Sequence, residues 1–277
     1  MQAAATRAMA GKSGTVVVID VESGKILAAY RPETAARRVA LPGSAIKPFT
    51  LAVLLQSGKV NRETTLMCKR GTILAGHNLT CTHPDVKQPF DPVTALAYSC
   101  NTYFATMATR LTPAQLRTTF LDFGLGSSSG LIPDEATGTV TLTSTTAELQ
   151  LEAIGEGGIH VTPVELLHAY QKLAHIEAKH DASLDPLFEG LEASVSYGMG
   201  HLAQPAGTVK VAGKTGTSLG EEGSWRHGWF AGYAPAHNPK IALVVFLEKG
   251  NGPVDAASIA QQIFAVYTTD SATGAAH

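Results

Sequence analysis

The sequence predicts an α+β fold: an antiparallel sheet built from both chain ends with flanking helices, plus an all-helical lobe inserted between them. Three observations predict it. Short β-branched, apolar runs stand toward both termini. Between them the chain carries a series of helix-start signals. With 277 residues, 44% of them apolar and 16% charged, it can bury a sizeable core and is not a disordered chain.

The elements follow in order. Val16 to Asp20 is β-branched and Lys25 to Tyr30 is again apolar; Glu22-Ser23-Gly24 between them supplies the turn of a β-hairpin. Ser44 to Ser57 reads as a helix that is apolar on nearly all faces and stops before Gly58, the pattern of a buried helix. Asp91-Pro92 starts another, with Asp as N-cap and Pro at the first helical position. Thr112-Pro113-Ala114-Gln115 and Thr162-Pro163-Val164-Glu165 are capping boxes with proline placed in the same way. Val209–Val211, His227–Tyr233 and Ile241–Leu247 are three further strands, and Asp255 to about Tyr267 is a closing helix. At roughly 150 residues per domain, one large domain or two small lobes are expected. We read 1–277 as a single domain, its α/β lobe from about 12–45 and 190–277 and its helical lobe from about 46–189. A cleft between lobes is a common binding site.

Composition narrows the function. A net charge of −2 leaves no dominant nucleic-acid footprint. The longest strongly apolar runs, such as Ile241 to Leu247, are too short to span a bilayer. Three cysteines are too few for a disulfide scaffold. Met1 to Gly14 holds no apolar run of the signal-peptide kind. Taken literally the chain would stay in the cytoplasm; removal of an export or anchor segment is the equal alternative.

Three motifs carry chemistry. Pro42-Gly43-Ser44-Ala45-Ile46-Lys47-Pro48 contains S-x-x-K, which places Ser44 and Lys47 one turn apart on the same helix face. A serine hydroxyl is a poor nucleophile until a base takes its proton, and a buried lysine is such a base because burial disfavours its charged form. Pro48 lacks the N–H that would bond the Ser44 carbonyl, which places Ser44 at the helix start. The second motif, Ser99-Cys100-Asn101, follows an apolar helix; read alone, Asn101 could simply cap the next one. The third, Lys214-Thr215-Gly216-Thr217-Ser218, sets a cation and small hydroxyls on an open strand, suited to the carboxylate of an extended ligand and equally to a lysine-protected sheet edge. S-x-x-K, S-x-N and K-T-G in this order form a specific signature of serine acyl-enzymes.

On these motifs the sequence resembles the transpeptidase domain of penicillin-binding proteins. The likeness extends to Gly14-Thr15-Val16-Val17-Val18-Ile19-Asp20, to the run ending Ala97-Tyr98-Ser99-Cys100-Asn101-Thr102-Tyr103-Phe104, to Ala153-Ile154-Gly155-Glu156-Gly157 with Val161-Thr162-Pro163, and to His227-Gly228-Trp229-Phe230-Ala231-Gly232-Tyr233-Ala234-Pro235. It covers about residues 14 to 250. The resemblance implies a two-lobed serine acyltransferase, located in the cell envelope and reaching the membrane only through a segment absent from this chain. Its substrates would be the D-Ala-D-Ala end of a peptidoglycan stem peptide and, as inhibitors, β-lactam antibiotics. Ser44 would attack the carbonyl, with Lys47 taking its proton. Ser99, with Lys214 nearby, would relay a proton to the leaving amine, and Asn101 would hold the substrate amide. Lys214, Thr215 and Thr217, with Gly216 between them, would receive the substrate carboxylate. The backbone N–H groups of Ser44 and Thr217 would form an oxyanion hole. The resemblance implies no metal and no organic cofactor.

Two departures stand out. The family usually has Gln where this chain has Glu156, a carboxylate that could activate water and hydrolyse the acyl-enzyme. The family often has His-Gly ahead of its second motif, where this chain has His83-Pro84, so the path of this loop stays open. The chain also lacks room before Ser44 for the N-terminal domains of large penicillin-binding proteins, and reads as a bare catalytic domain, excised or free-standing. Cys68, His77, Cys81 and His83 crowd a short stretch but fit no standard zinc spacing; a Cys68–Cys81 disulfide or free thiols are the other options. Cys100 reads as a small apolar filler. Beside the transpeptidase stand a β-lactamase or D,D-carboxypeptidase of the same fold, an S-x-x-K esterase, and a non-catalytic β-lactam sensor.

Overall fold

The computed structural model describes residues 1–74, 76–220, 223 and 225–274, without the side chains of residues 72, 77 and 269–274. In chain order the elements are α1 (Gln2–Ala8), β1 (Gly14–Asp20), β2 (Ile26–Tyr30), α2 (Pro32–Arg37), α3 (Lys47–Gln56), β3 (Gly71–Leu74), β4 (His77–Thr80), α4 (Pro92–Ala97) and α5 (Asn101–Ala108). Then come α6 (Pro113–Asp122), β5 (Thr139–Val140), α7 (Thr146–Ile154), β6 (Ile159–His160), α8 (Pro163–Ala178), α9 (Asp185–Ser196), β7 (Ala212–Leu219), β8 (Arg226–Ala234), β9 (Ile241–Leu247) and α10 (Ala257–Gly274).

The main sheet is five-stranded, antiparallel, and ordered β2-β1-β9-β8-β7. Its first two strands come from the N-terminal end and its last three from the C-terminal end, joined where β1 pairs β9 from Gly14↔Leu247 to Asp20↔Ile241. The apolar run of β9 is unbroken because both faces of the sheet are covered. The two-residue period then sorts its side chains. Val17, Ile19, Val244 and Phe246 face the large core with Phe49 and Tyr170. Val16, Val18, Leu243 and Val245 face a second core closed by Ile263 and Phe264 of α10 and by Ala5 of α1.

The helix starts behave as their sequences require. Asp91 accepts the Thr94 N–H at 2.7 Å. Thr112–Gln115 and Thr162–Glu165 close capping boxes in which both reciprocal bonds are made. Three boundaries differ from the sequence-based expectation. The stretch from Ser44 begins as a single 3-10 turn, Gly43–Ile46, before α3 starts at Lys47. Pro48 has no N–H to give the Ser44 carbonyl, and the Lys47 N–H takes it instead. Val209–Val211 is not a strand: the Gln204 side chain bonds the Val209 carbonyl (2.9 Å) and the Val211 N–H (3.3 Å), and sheet pairing begins at Ala212. The closing helix starts later than Asp255, after a π turn over Gly252–Ala256 capped by Asn251. The short α1 and α2, the β3–β4 hairpin, α7 and α9 carried no reading at the sequence level.

Candidate active site

Ser44 lies in the 3-10 turn and Lys47 opens α3, so the S-x-x-K pair stands on one short rigid bend. That bend is packed closely from two sides. A Cβ on Gly43 would sit 2.6 Å from the carbonyl oxygen of Thr217 in β7, and Gly43 itself has φ of +53°. A Cβ on Gly155, at the end of α7, would sit 2.1 Å from the Gly43 carbonyl oxygen, and the Gly43 N–H donates to the Gly155 carbonyl at 3.1 Å. Glycines at these positions let the third motif and the Gly155-Glu156 corner reach the backbone beside Ser44.

Lys47 is fully buried and points its ammonium into the second motif. Nζ donates to the Ser99 carbonyl (2.7 Å), Ser99 Oγ (3.2 Å) and Asn101 Oδ1 (2.6 Å). Burial pushes this ammonium down to about 8, while the neighbouring thiols and Glu156 oppose the shift. A neutral amine is thus accessible near physiological pH, which is what a base for the Ser44 hydroxyl must supply. Ser99 adopts φ of +58°, a left-handed conformation that a non-glycine residue rarely takes outside constrained sites. It turns the chain sharply between α4 and α5, so that Ser99 and Asn101 both reach Lys47. Asn101 is held from its other end, its Nδ2 donating to the Thr80 carbonyl of β4 at 3.2 Å.

β7 forms the opposite wall. Lys214 is fully buried, donates to the Thr215 carbonyl at 3.0 Å, and is held well below the ordinary lysine range by burial and by repulsion from Lys47. Thr217 Oγ1 accepts the Gly252 N–H at 3.0 Å, which leaves its own hydroxyl proton for a ligand. Ser44, Ser99, Asn101, Glu156 and the Thr215–Thr217 strand all line one cavity of about 630 Å³. All the sequence-proposed residues therefore converge, the two lysines buried beside the cavity and the rest on its wall. Desolvation raises the Glu156 carboxyl to about 6 against the pull of Lys47 and Arg226. Sequence reasoning passed over Arg226 and Asn251 on the same wall; no motif or spacing marks either.

Comparison with known proteins agrees with this geometry. The profile of the penicillin binding protein transpeptidase domain matches residues 14–266. The chain belongs to the penicillin-binding protein transpeptidase family. Among curated members, PenA of Neisseria flavescens is 28% identical across 86% of this chain and 69% of its own length. The peptidoglycan D,D-transpeptidases MrdA of Acinetobacter baumannii and FtsI of Escherichia coli are 24% and 26% identical; the match spans 52% and 47% of their lengths. This penicillin-binding-protein domain thus covers about half the length of those two relatives. Its fold is that of the D,D-transpeptidase domain of a peptidoglycan glycosyltransferase from Eggerthella lenta (TM-score 0.85, 20% identity, 98% of this chain and 81% of that one). It is equally that of the transpeptidase domain of Burkholderia pseudomallei penicillin-binding protein 3 (TM-score 0.84, 22% identity, 98% and 92%).

The stretch ahead of the second motif holds two of this transpeptidase domain's three cysteines, and the motif itself holds the third. Cys68 and Cys81 are not joined; Cys68, Cys81 and Cys100 are all free thiols. Cys81 turns instead toward Cys100, their sulfurs 3.9 Å apart. Cys100 is therefore more than an apolar filler, and His83 joins the same cluster. The side chain of His77 lies outside the described residues. Among the described residues no helix is long and apolar enough to cross a membrane.

Proposed function

We propose that the chain is a serine D,D-transpeptidase acting on peptidoglycan stem peptides through a Ser44 acyl-enzyme, and that β-lactams acylate the same serine. The observation that carries this reading is the contact of one buried amine, Lys47 Nζ, with both Ser99 Oγ and Asn101 Oδ1 at the floor of the cavity that Ser44 lines. Neutral Lys47 takes the Ser44 proton as Oγ attacks the carbonyl of the penultimate D-Ala. The Ser44 and Thr217 N–H groups receive the oxyanion, a contribution of about 3–4 kcal/mol per donor in comparable sites. Ser99 passes the proton to the departing amine of the terminal D-Ala. Burial and Lys47 disfavour the Lys214 ammonium in the empty site, and the arriving substrate carboxylate offsets part of that lost solvation. Asn101 accepts or donates to the substrate amide, and Thr215 and Thr217 complete the carboxylate site.

An amine on a neighbouring stem peptide then takes the acyl group and restores Ser44. Such substrates place the working protein outside the cytoplasm, at the cell envelope. One observation supports a second reading, a D,D-carboxypeptidase or β-lactamase: Glu156 stands in this cavity with its carboxyl raised to about 6, where it can accept a proton from water attacking the acyl-enzyme. A time course with labelled penicillin separates them. A lasting adduct that Ser44→Ala abolishes while the circular dichroism spectrum is retained supports the transpeptidase; rapid turnover supports the hydrolase; labelling that persists in Ser44→Ala refutes the nucleophile.

A further inference from the structure

We propose that Cys68, Cys81, His83 and Cys100 form a structural zinc site that fastens the second motif to the loop before it. The spacing of these residues matches no standard zinc pattern, because the fourth donor, Cys100, comes from the catalytic motif itself. In the fold, all four donor atoms lie within 4.8 Å of one another, and Cys81, His83 and Cys100 are buried. Two of the six separations already match the edges of a tetrahedron around zinc. Bonds of about 2.3 Å to sulfur and 2.0–2.1 Å to nitrogen put two sulfurs about 3.8 Å apart, and a sulfur and a nitrogen about 3.6 Å apart. Cys81 Sγ and Cys100 Sγ are 3.9 Å apart, and Cys68 Sγ and His83 Nε2 are 3.5 Å apart.

The surroundings are also those of a metal-thiolate centre. His83 Nδ1 lies 2.7 Å from the Pro84 carbonyl, which can only accept, so Nδ1 carries the proton and Nε2 presents its lone pair to the cluster. The Arg70 guanidinium in turn holds the His83 carbonyl at 2.7 Å. Backbone N–H groups point at two of the sulfurs, Arg70 to Cys68 (3.3 Å) and Tyr103 to Cys100 (3.4 Å), as anionic sulfur requires. Three thiolates and one imidazole are a borderline-soft donor set that suits zinc, and four protein ligands leave no open position for water. The site is therefore a fastening and not a Lewis acid. Binding breaks three S–H bonds, sends three protons to solvent, and forms three S–Zn bonds and one N–Zn bond, with no change of oxidation state.

The location gives the fastening a consequence. Cys100 stands between Ser99 and Asn101, and Cys81 follows Thr80, whose carbonyl already holds the Asn101 amide. A metal joining Cys81 to Cys100 would fix that bond, and with it the two acceptors that receive Lys47 Nζ. The Cys68–Cys81 pairing weighed from the sequence would take both sulfurs away from Cys100 Sγ and His83 Nε2, their neighbours in the cluster.

The test uses the full chain, purified without chelator from zinc-replete medium. Metal analysis should find one zinc per chain. Chain prepared with Co2+ instead should show the intense visible bands of tetrahedral cobalt and a thiolate charge-transfer band. Stripping zinc should slow acylation of Ser44 by labelled penicillin at least about tenfold, and added zinc should restore it. Cys81→Ser should lower metal affinity by about 10–100-fold; if that variant does not fold, the cobalt spectrum of the parent decides. A chain without metal or cobalt bands, one carrying copper or iron instead, or one with a Cys81–Cys100 disulfide by mass spectrometry overturns the proposal. Acylation untouched by stripping overturns its positioning role. Penicillin labelling that never occurs, with zinc bound, would instead refute the acyl-enzyme reading and leave the metal site standing.

Discussion

At the residue scale, reactivity turns on a lysine stripped of solvent. Lys47 was nameable from S-x-x-K, but its burial and its hold on Ser99 and Asn101 were not, because those partners lie about fifty residues away in sequence. If its neutral form is the base, the acylation rate constant should rise with pH, about tenfold per unit, and level off above about 8, as a stopped-flow pH profile would read. A flat profile from pH 6 to 9 would remove Lys47 from that role. Glu156 bears on the same profile, since its charge favours the ammonium of Lys47. Glu156→Gln should therefore move the acylation midpoint to lower pH. If the carboxylate also activates water, the lifetime of the penicilloyl adduct should lengthen by about 10²–10⁴-fold, the range of general-base catalysis. An unaltered lifetime would leave the carboxylate as an electrostatic neighbour only.

At the element scale, the site is a meeting of backbones made close by glycine. β7 passes over the 3-10 turn at Gly43, and the corner after α7 abuts the same residue. Gly43→Ala adds a Cβ at 2.6 Å from the Thr217 carbonyl oxygen and strains a φ of +53°. The left-handed conformation alone costs about 1–2 kcal/mol, so thermal stability should fall. A strand shifted by about 1 Å from Ser44 should slow acylation about a hundredfold. Wild-type stability and acylation in this variant would mean that β7 does not depend on the close approach. The elements most legible in the sequence were those with local signatures: the first hairpin, the proline-started helices and the run of β9. Val209–Val211 misled because a β-branched run can be satisfied by a side chain, here Gln204, as well as by a neighbouring strand. The small residues of β7 carry little strand propensity, and pairing with β8 decides their conformation.

At the scale of the whole molecule, the chain closes on itself. β1 and β9 join its two ends, and α1 and α10 cover one face of the sheet they make. The middle is bound less perfectly. Glu152 of α7 is fully buried, and neither carboxylate oxygen has a hydrogen-bond partner among the described residues. Desolvation raises its carboxyl to about 8, against a weak opposing pull from Arg117. The unfolded chain releases this proton near 4.5 and the folded chain keeps it, so the protein loses stability as pH rises from 4.5 to about 8. Glu152→Gln removes that proton. Urea midpoints of the two proteins should diverge in favour of the variant across this window, and parallel midpoints would show that Glu152 ionises freely in the folded state.

What the sequence determined by itself was the order of chemical groups along the chain and the short-range structure around each: a serine one turn from a lysine, a serine–asparagine pair after a helix, a lysine among small hydroxyls. These depend on neighbours a few residues away, and local sterics and capping decide them. Only the tertiary structure decided which groups meet. Lys47 reaches Ser99 and Asn101, and Cys100 joins Cys68, Cys81 and His83, because packed helices and paired strands convert separations of tens of residues into a few ångströms. Desolvation, which sets the proton affinities of Lys47, Lys214 and Glu156, likewise exists only once the fold has closed over them.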